Sequence, residues 1–155
     1  MKYYMDCEFD GFGGELISMA FINQNYKSFY FVNKNYKELG SAKEEWVNDN
    51  VINILFNVPH KAIVDELESL PFHIYAYLLD DIQDDPIPHF IADWPDDIKY
   101  LCQSVLTGPG KMMPLDAFNC SVVRVDSYPN DIEGAYRHNA WWDAYCLKHR
   151  LSKGQ

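Results

Sequence analysis

Apolar residues run almost unbroken through three stretches at the start of the chain: KYYMDCEF (2–9), ELISMAFIN (15–23) and SFYFV (28–32). Near-continuous apolar character over such lengths suits strands covered on both faces. Gly11, Gly13 and Gly14 punctuate the first junction, and Asn23-Gln24-Asn25 the second. The chain is therefore predicted to open with a three-strand antiparallel meander. From Ser41 the period changes. Trp46, Val47, Val51, Ile54 and Leu55 recur at helical spacing, and Ser41 and Glu44 stand at the spacing of a capping box. This predicts a helix over 42–56, ended by Pro59. A second helix is predicted over 60–69, stopped by Pro71. Residues 73–80 fit strand or helix. Asp80, Asp81, Asp84 and Asp85, with Pro86 and Pro88, mark a loop.

Beyond that loop the elements alternate. Residues 89–93 read as a short buried strand. Residues 96–106 read as a helix closed by Thr107-Gly108-Pro109-Gly110. Residues 115–126 read as a strand, and 138–151 as a final helix carrying Trp141, Trp142, Tyr145, Leu147 and Leu151. Strands first, then single strands alternating with helices, describe an α/β protein with a mixed sheet. A length of 155 residues points to a single domain over 1–155.

Composition narrows the function classes. Hydrophobic residues make up 48% and charged residues 23%, a globular balance. No apolar run approaches the ~20 residues that cross a bilayer. No basic segment leads into an apolar one at the start, so a cytoplasmic location is expected. Cys7, Cys102, Cys120 and Cys146 form no C-x-x-C pair, which argues against zinc. All four are expected to be reduced and buried. The formal net charge of −10 argues against a wide basic nucleic-acid footprint. It is compatible with an acidic site filled by divalent cations, which supply positive charge where a phosphate must sit.

Three groups of carboxylates are candidates for such a site. Asp6 and Glu8 are two apart on the first strand and so share one face of the sheet. Two acids side by side on an interior strand repel one another and are costly to desolvate unless a cation lies between them. On a solvent-facing edge strand they would need no cation. The stretch from Ala92 to Leu101 places Asp93, Asp96 and Asp97 at a strand–helix junction. Acids there also complement a helix dipole with no metal present. His138 and Asp143 fall at the start of the last helix, where an ordinary histidine and acid are equally at home.

In this order, D-x-E on the first strand, an acid at a middle junction and H-x4-D on the last helix resemble the DEDDh 3′→5′ exonucleases. That group includes oligoribonuclease, ribonuclease T and polymerase proofreading subunits. The opening YMDCEFDGFGGELISMAF is similar to a short bacterial and phage branch of exoribonuclease-like proteins. The resemblance implies a ribonuclease-H-like sheet with helices on both faces. It implies two Mg2+ or Mn2+ ions held by Asp6, Glu8, Asp97 and Asp143, with Asp93 as the alternative to Asp97. His138 would be the general base. Phe12 would be a wedge against terminal bases, or else a core aromatic anchoring its turn. Cys7, Phe9, Trp94 and Asn139 are further candidates for substrate contact. The expected substrates are nucleic-acid 3′ ends, single-stranded or overhanging, with RNA favoured over DNA and 5′-nucleoside monophosphates as products. The resemblance also allows a homodimer. A related metal-dependent endonuclease and a non-catalytic interaction protein on the same fold are the competing readings.

Overall fold

The computed structural model describes residues 1–125 and 132–153. The opening meander forms as the apolar pattern predicts. Strand β1 (Lys2–Phe9) pairs antiparallel with β2 (Leu16–Asn23), which pairs antiparallel with β3 (Ser28–Asn33). Three further strands pair in parallel: β4 (Ile63–Asp65) with β3, β5 (His89–Ala92) with β1, and β8 (Asn119–Val122) with β5. The result is a mixed six-stranded sheet in the order β4-β3-β2-β1-β5-β8. A small hairpin of β6 (Leu106–Gly108) and β7 (Lys111–Met112) stands apart from it.

Helices cover both faces. Helices α3 (Leu70–Asp84) and α4 (Pro95–Ser104) lie on one side, where Leu70, Ile74, Leu78 and Leu101 pack against Tyr3, Met5, Phe21, Phe31 and Phe90. Helices α1 (Lys34–Leu39), α2 (Glu45–Asn50) and α5 (Ala140–Ser152) lie on the other. There Tyr36, Val47, Val51, Trp141 and Ala144 pack against Ile17, Ala20, Ile22 and Val32. Full burial of a large side chain contributes about 1.5–3 kcal/mol, so β1 and β2, buried along most of their length, anchor the molecule. Alternation along β1 sends Tyr3, Met5 and Cys7 towards α3 and α4. It leaves Asp6 and Glu8 on the α5 side. A register shift opposite Glu8 and Phe9 marks a bulge beside them.

Several expectations are corrected. The helix predicted over 60–69 is β4 followed by a single 3-10 turn, Leu67–Ser69. The β-branched pair Ile63-Val64 pairs with Phe31 and Val32 at the sheet edge, and that pairing overrides a short helical spacing. The helix predicted over 42–56 is shorter, with α2 and then a 3-10 turn over Ile52–Ile54. Its Ser41–Glu44 capping box does not form. Instead the amides of Lys43 and Glu44 donate to the buried Asp10 carboxylate at 2.9–3.1 Å. Residues 73–80 are helical. Helix α3 runs through Asp80, Asp81 and Asp84, which the aspartate-rich pattern had placed in a loop. Pro71 lies within its first turn, where no amide partner is lost. The strand predicted over 115–126 is only β8, and residue 126 lies outside the described residues. Cys7 and Cys146 are buried, but Cys102 and Cys120 are exposed; no disulfide joins any of the four.

The turn after β1 leaves no room at Gly14, where an added Cβ would fall on the carbonyl of Asp10. Gly14→Ala is expected to destabilise the fold by about 1–3 kcal/mol, the usual cost of forcing atoms into packed structure. Urea denaturation against the wild type measures it.

Candidate metal centre

The acidic residues of the site come from four parts of the fold, and all converge where β1 and β5 end. Asp6 and Glu8 come from the last half of β1. Asp93 directly follows β5. Asp97 lies in the first turn of α4, and Asp143 in the first turn of α5. The carboxyl ends of parallel strands are where α/β sheets leave a crevice. Here that crevice is a cavity of about 450 Å³.

Two groups of ligand atoms form within it. Oxygens of Asp6, Asp93 and Asp97 lie within 4.8 Å of one another. So do ligand atoms of Glu8, His138 and Asp143. Asp93 and Asp97, alternatives in the sequence, both reach the site. The hydrogen bonds show which oxygens are committed. Asp97 Oδ1 accepts the Cys7 backbone N–H at 3.1 Å. Asp143 accepts from Arg137 Nη1 at 2.7 Å on Oδ1 and from the His138 backbone N–H at 3.0 Å on Oδ2. Asp6 Oδ2 and Asp97 Oδ2 are buried without any hydrogen-bond partner. Buried polar atoms are almost always paired, so two orphaned carboxylate oxygens on residues of one acidic group fit a site that binds a cation. Such groups can hold a metal ion.

Proton affinities follow the same logic. Burial pushes the carboxyls of Asp6 and Glu8 well above the usual range. The charges of Asp97 and Asp143 add to the effect on Asp6, and those of Asp143 and Asp97 on Glu8. Burial and then the charge of Asp93 push Asp97 up to about 8. Burial raises Asp143 to about 6, against the pull of the Arg137 guanidinium. His138 moves the other way: burial and then Arg137 lower it, favouring the neutral imidazole.

His138 is not on the helix. It sits two residues before α5 with a left-handed φ of 63°, uncommon for a non-glycine residue. The hydrogen bond that its backbone N–H donates to Asp143 Oδ2 holds that conformation. The Trp46 ring packs edge-on against its imidazole at 4.8 Å. Trp46 and Arg137 also line the cavity, and Trp46 is the residue that the sequence motifs miss. Arg137 had a signal, since it directly precedes His138. Trp46 had none, because only the fold brings α2 to the cavity.

The remaining candidates divide. Phe12 is 96% exposed on the rim, which excludes the core-anchor reading. Trp94 is also on the rim, 60% exposed, with its Nε1 donating to Asp96 Oδ2 at 3.1 Å. Phe9 lines the wall and stacks on Tyr100 with ring centroids 4.8 Å apart. Cys7 also lines the cavity; its side chain packs into the core on the α3–α4 side, and its backbone N–H donates to Asp97.

Asn139 is corrected. It is buried as the N-cap of α5. Its Oδ1 accepts from the amides of Trp141 and Trp142, and its Nδ2 donates to the Ile54 carbonyl at 2.9 Å. Asn139→Ala is expected to cost about 1–3 kcal/mol of stability through the lost cap and the orphaned carbonyl. KM of the folded fraction should stay unchanged. A thermal melt together with a substrate titration checks both parts.

None of the described helices is long and apolar enough to cross a membrane. The chain matches no protein-family model and no curated protein sequence.

Proposed function

We propose that this chain is a metal-dependent 3′→5′ exonuclease of ribonuclease-H-like fold that acts on single-stranded or overhanging nucleic-acid ends, RNA in preference to DNA. The observation that carries this reading is the pair of ligand groups, Asp6–Asp93–Asp97 and Glu8–His138–Asp143, with orphaned buried oxygens on Asp6 and Asp97. The antiparallel meander, the later parallel strands and the helices on both faces support it.

An all-oxygen group suits hard cations such as Mg2+ or Mn2+. Asp6, Asp93 and Asp97 would hold one ion, and Glu8 and Asp143 a second. Bound there, two ions would lower the pKa of an attacking water and stabilise charge on the phosphate. His138 takes the proton from that water. A neutral imidazole is needed for this, and its lowered proton affinity keeps it neutral near pH 7. Trp46 packs against the ring, and the hydrogen bond from the His138 backbone N–H to Asp143 holds its backbone. Exposed Phe12, Trp46 and Trp94 at the cavity offer faces for stacking unpaired bases, which needs no particular sequence. A chain with a net charge of −10 has little to hold a long backbone, so binding should be confined to the last few nucleotides and cleavage should be distributive.

The test is a linear single strand beside a circular one of the same sequence, each with Mn2+. An exonuclease degrades the linear strand and leaves the circle intact. A cut circle would make the chain an endonuclease instead.

A further inference from the structure

Among the described residues lining the acidic cavity, Arg137 alone carries a permanent positive charge. Its place is unusual for a structural ion pair. The Asp143 side chain is 4% exposed and lies on the floor, while that of Arg137 is 51% exposed and lies at the mouth. The guanidinium takes Oδ1 of Asp143, and the His138 amide takes Oδ2. It also acts on Glu8, offsetting part of what burial and the neighbouring Asp143 and Asp97 charges cost its carboxylate. Thus Arg137 supplies positive charge to the very group, Glu8 with His138 and Asp143, that could hold a metal ion.

Two cations cannot share that carboxylate without mutual repulsion. A divalent ion at Glu8 and Asp143 would meet the guanidinium on the same carboxylate. A phosphate arriving at the mouth offers the guanidinium a partner of better geometry, since its fork binds phosphate oxygens in pairs.

We propose that Arg137 is a transferable counter-ion. It neutralises Asp143 while no substrate is bound, then passes to a phosphate of the entering strand and releases Asp143 for the second divalent ion. The second ion therefore binds together with substrate, and an empty site does not hold the full metal complement. The phosphate half of this inference rests on the nuclease reading above; the counter-ion half rests on the geometry alone.

The test uses the full chain and the variants Arg137→Gln and Arg137→Lys, with folding checked by circular dichroism. Mn2+ binding is titrated calorimetrically without substrate, then with a phosphorothioate oligonucleotide that resists cleavage. In the wild type the oligonucleotide should strengthen the weaker Mn2+ site by about tenfold, an ordinary size for coupling between two ligands. Arg137→Gln should strengthen that site by about tenfold with no oligonucleotide, lose the coupling and raise KM. Arg137→Lys should restore the weak site but only part of the KM. An Arg137→Gln protein whose Mn2+ affinity is unchanged or weaker overturns the counter-ion half. An unchanged KM overturns the phosphate half. A wild type that cleaves no strand sinks the nuclease reading and the phosphate half with it, while the Mn2+ titration still decides the counter-ion half.

Discussion

Asp97→Asn is expected to stabilise the metal-free protein at pH 8 and to abolish its metal-dependent cleavage. Both effects have one cause. The folded protein holds the Asp97 carboxyl at about 8, from an ordinary 3.8, because burial and the neighbouring Asp93 disfavour its charge. Between these values the folded state binds more protons than the unfolded one, so stability falls as pH rises through the window. It is fully present below about 4 and most reduced above about 8. Asparagine removes the charge and keeps an oxygen to accept the Cys7 N–H. A gain of about 1–3 kcal/mol is expected at pH 8, or about 2–4 °C in Tm for each kcal/mol. Divalent ions should raise the wild-type Tm and leave the variant's almost unchanged. Cleavage should fall at least about 10³-fold, equivalent to about 4 kcal/mol of barrier. Differential scanning fluorimetry at pH 5 and pH 8, with EDTA and with Mn2+, measures the stability half. A variant less stable than the wild type at pH 8 would show that Asp97 serves structure rather than metal.

His138→Ala should lower kcat by about 10²- to 10⁴-fold, the usual contribution of a positioned base. KM should change little, because the rim aromatics and Arg137 remain. In the wild type the rate should fall on the acid side as the imidazole takes up a proton. That limb should lie below the ordinary imidazole value of about 6.5, because burial and Arg137 lower it. A single-turnover pH profile of both proteins checks this. A variant that keeps more than about a tenth of the wild-type rate would remove His138 from the proton transfer.

The parts of this account that were legible in the sequence have strong local patterns. β1 to β3 are long, apolar and separated by turn residues, so their pattern has one outcome. The period-2 placement of Asp6 and Glu8 foretold that they share a face, because strand geometry leaves no choice. Other features depend on tertiary partners. Ile63 and Val64 form a strand only because the edge of β3 stands open to them. Ser41 does not cap α2, because Asp10, over 30 positions earlier in the chain, already receives the amides at its start. Asn139 looked like a residue free to touch substrate, yet its role as an N-cap tied to the Ile54 carbonyl depends on two elements meeting. Trp46 and Arg137 join the site in the same way, by packing around His138 and Asp143.

The central claim is tested most directly by incubating a 5′-labelled single-stranded RNA with the wild type and with Asp6→Asn, in Mn2+ and in EDTA. The expected result is a ladder that shortens one nucleotide at a time from the 3′ end and releases 5′-nucleoside monophosphates, seen only for the wild type with Mn2+. Intact RNA in every lane, from protein shown to be folded and to bind Mn2+, would contradict it.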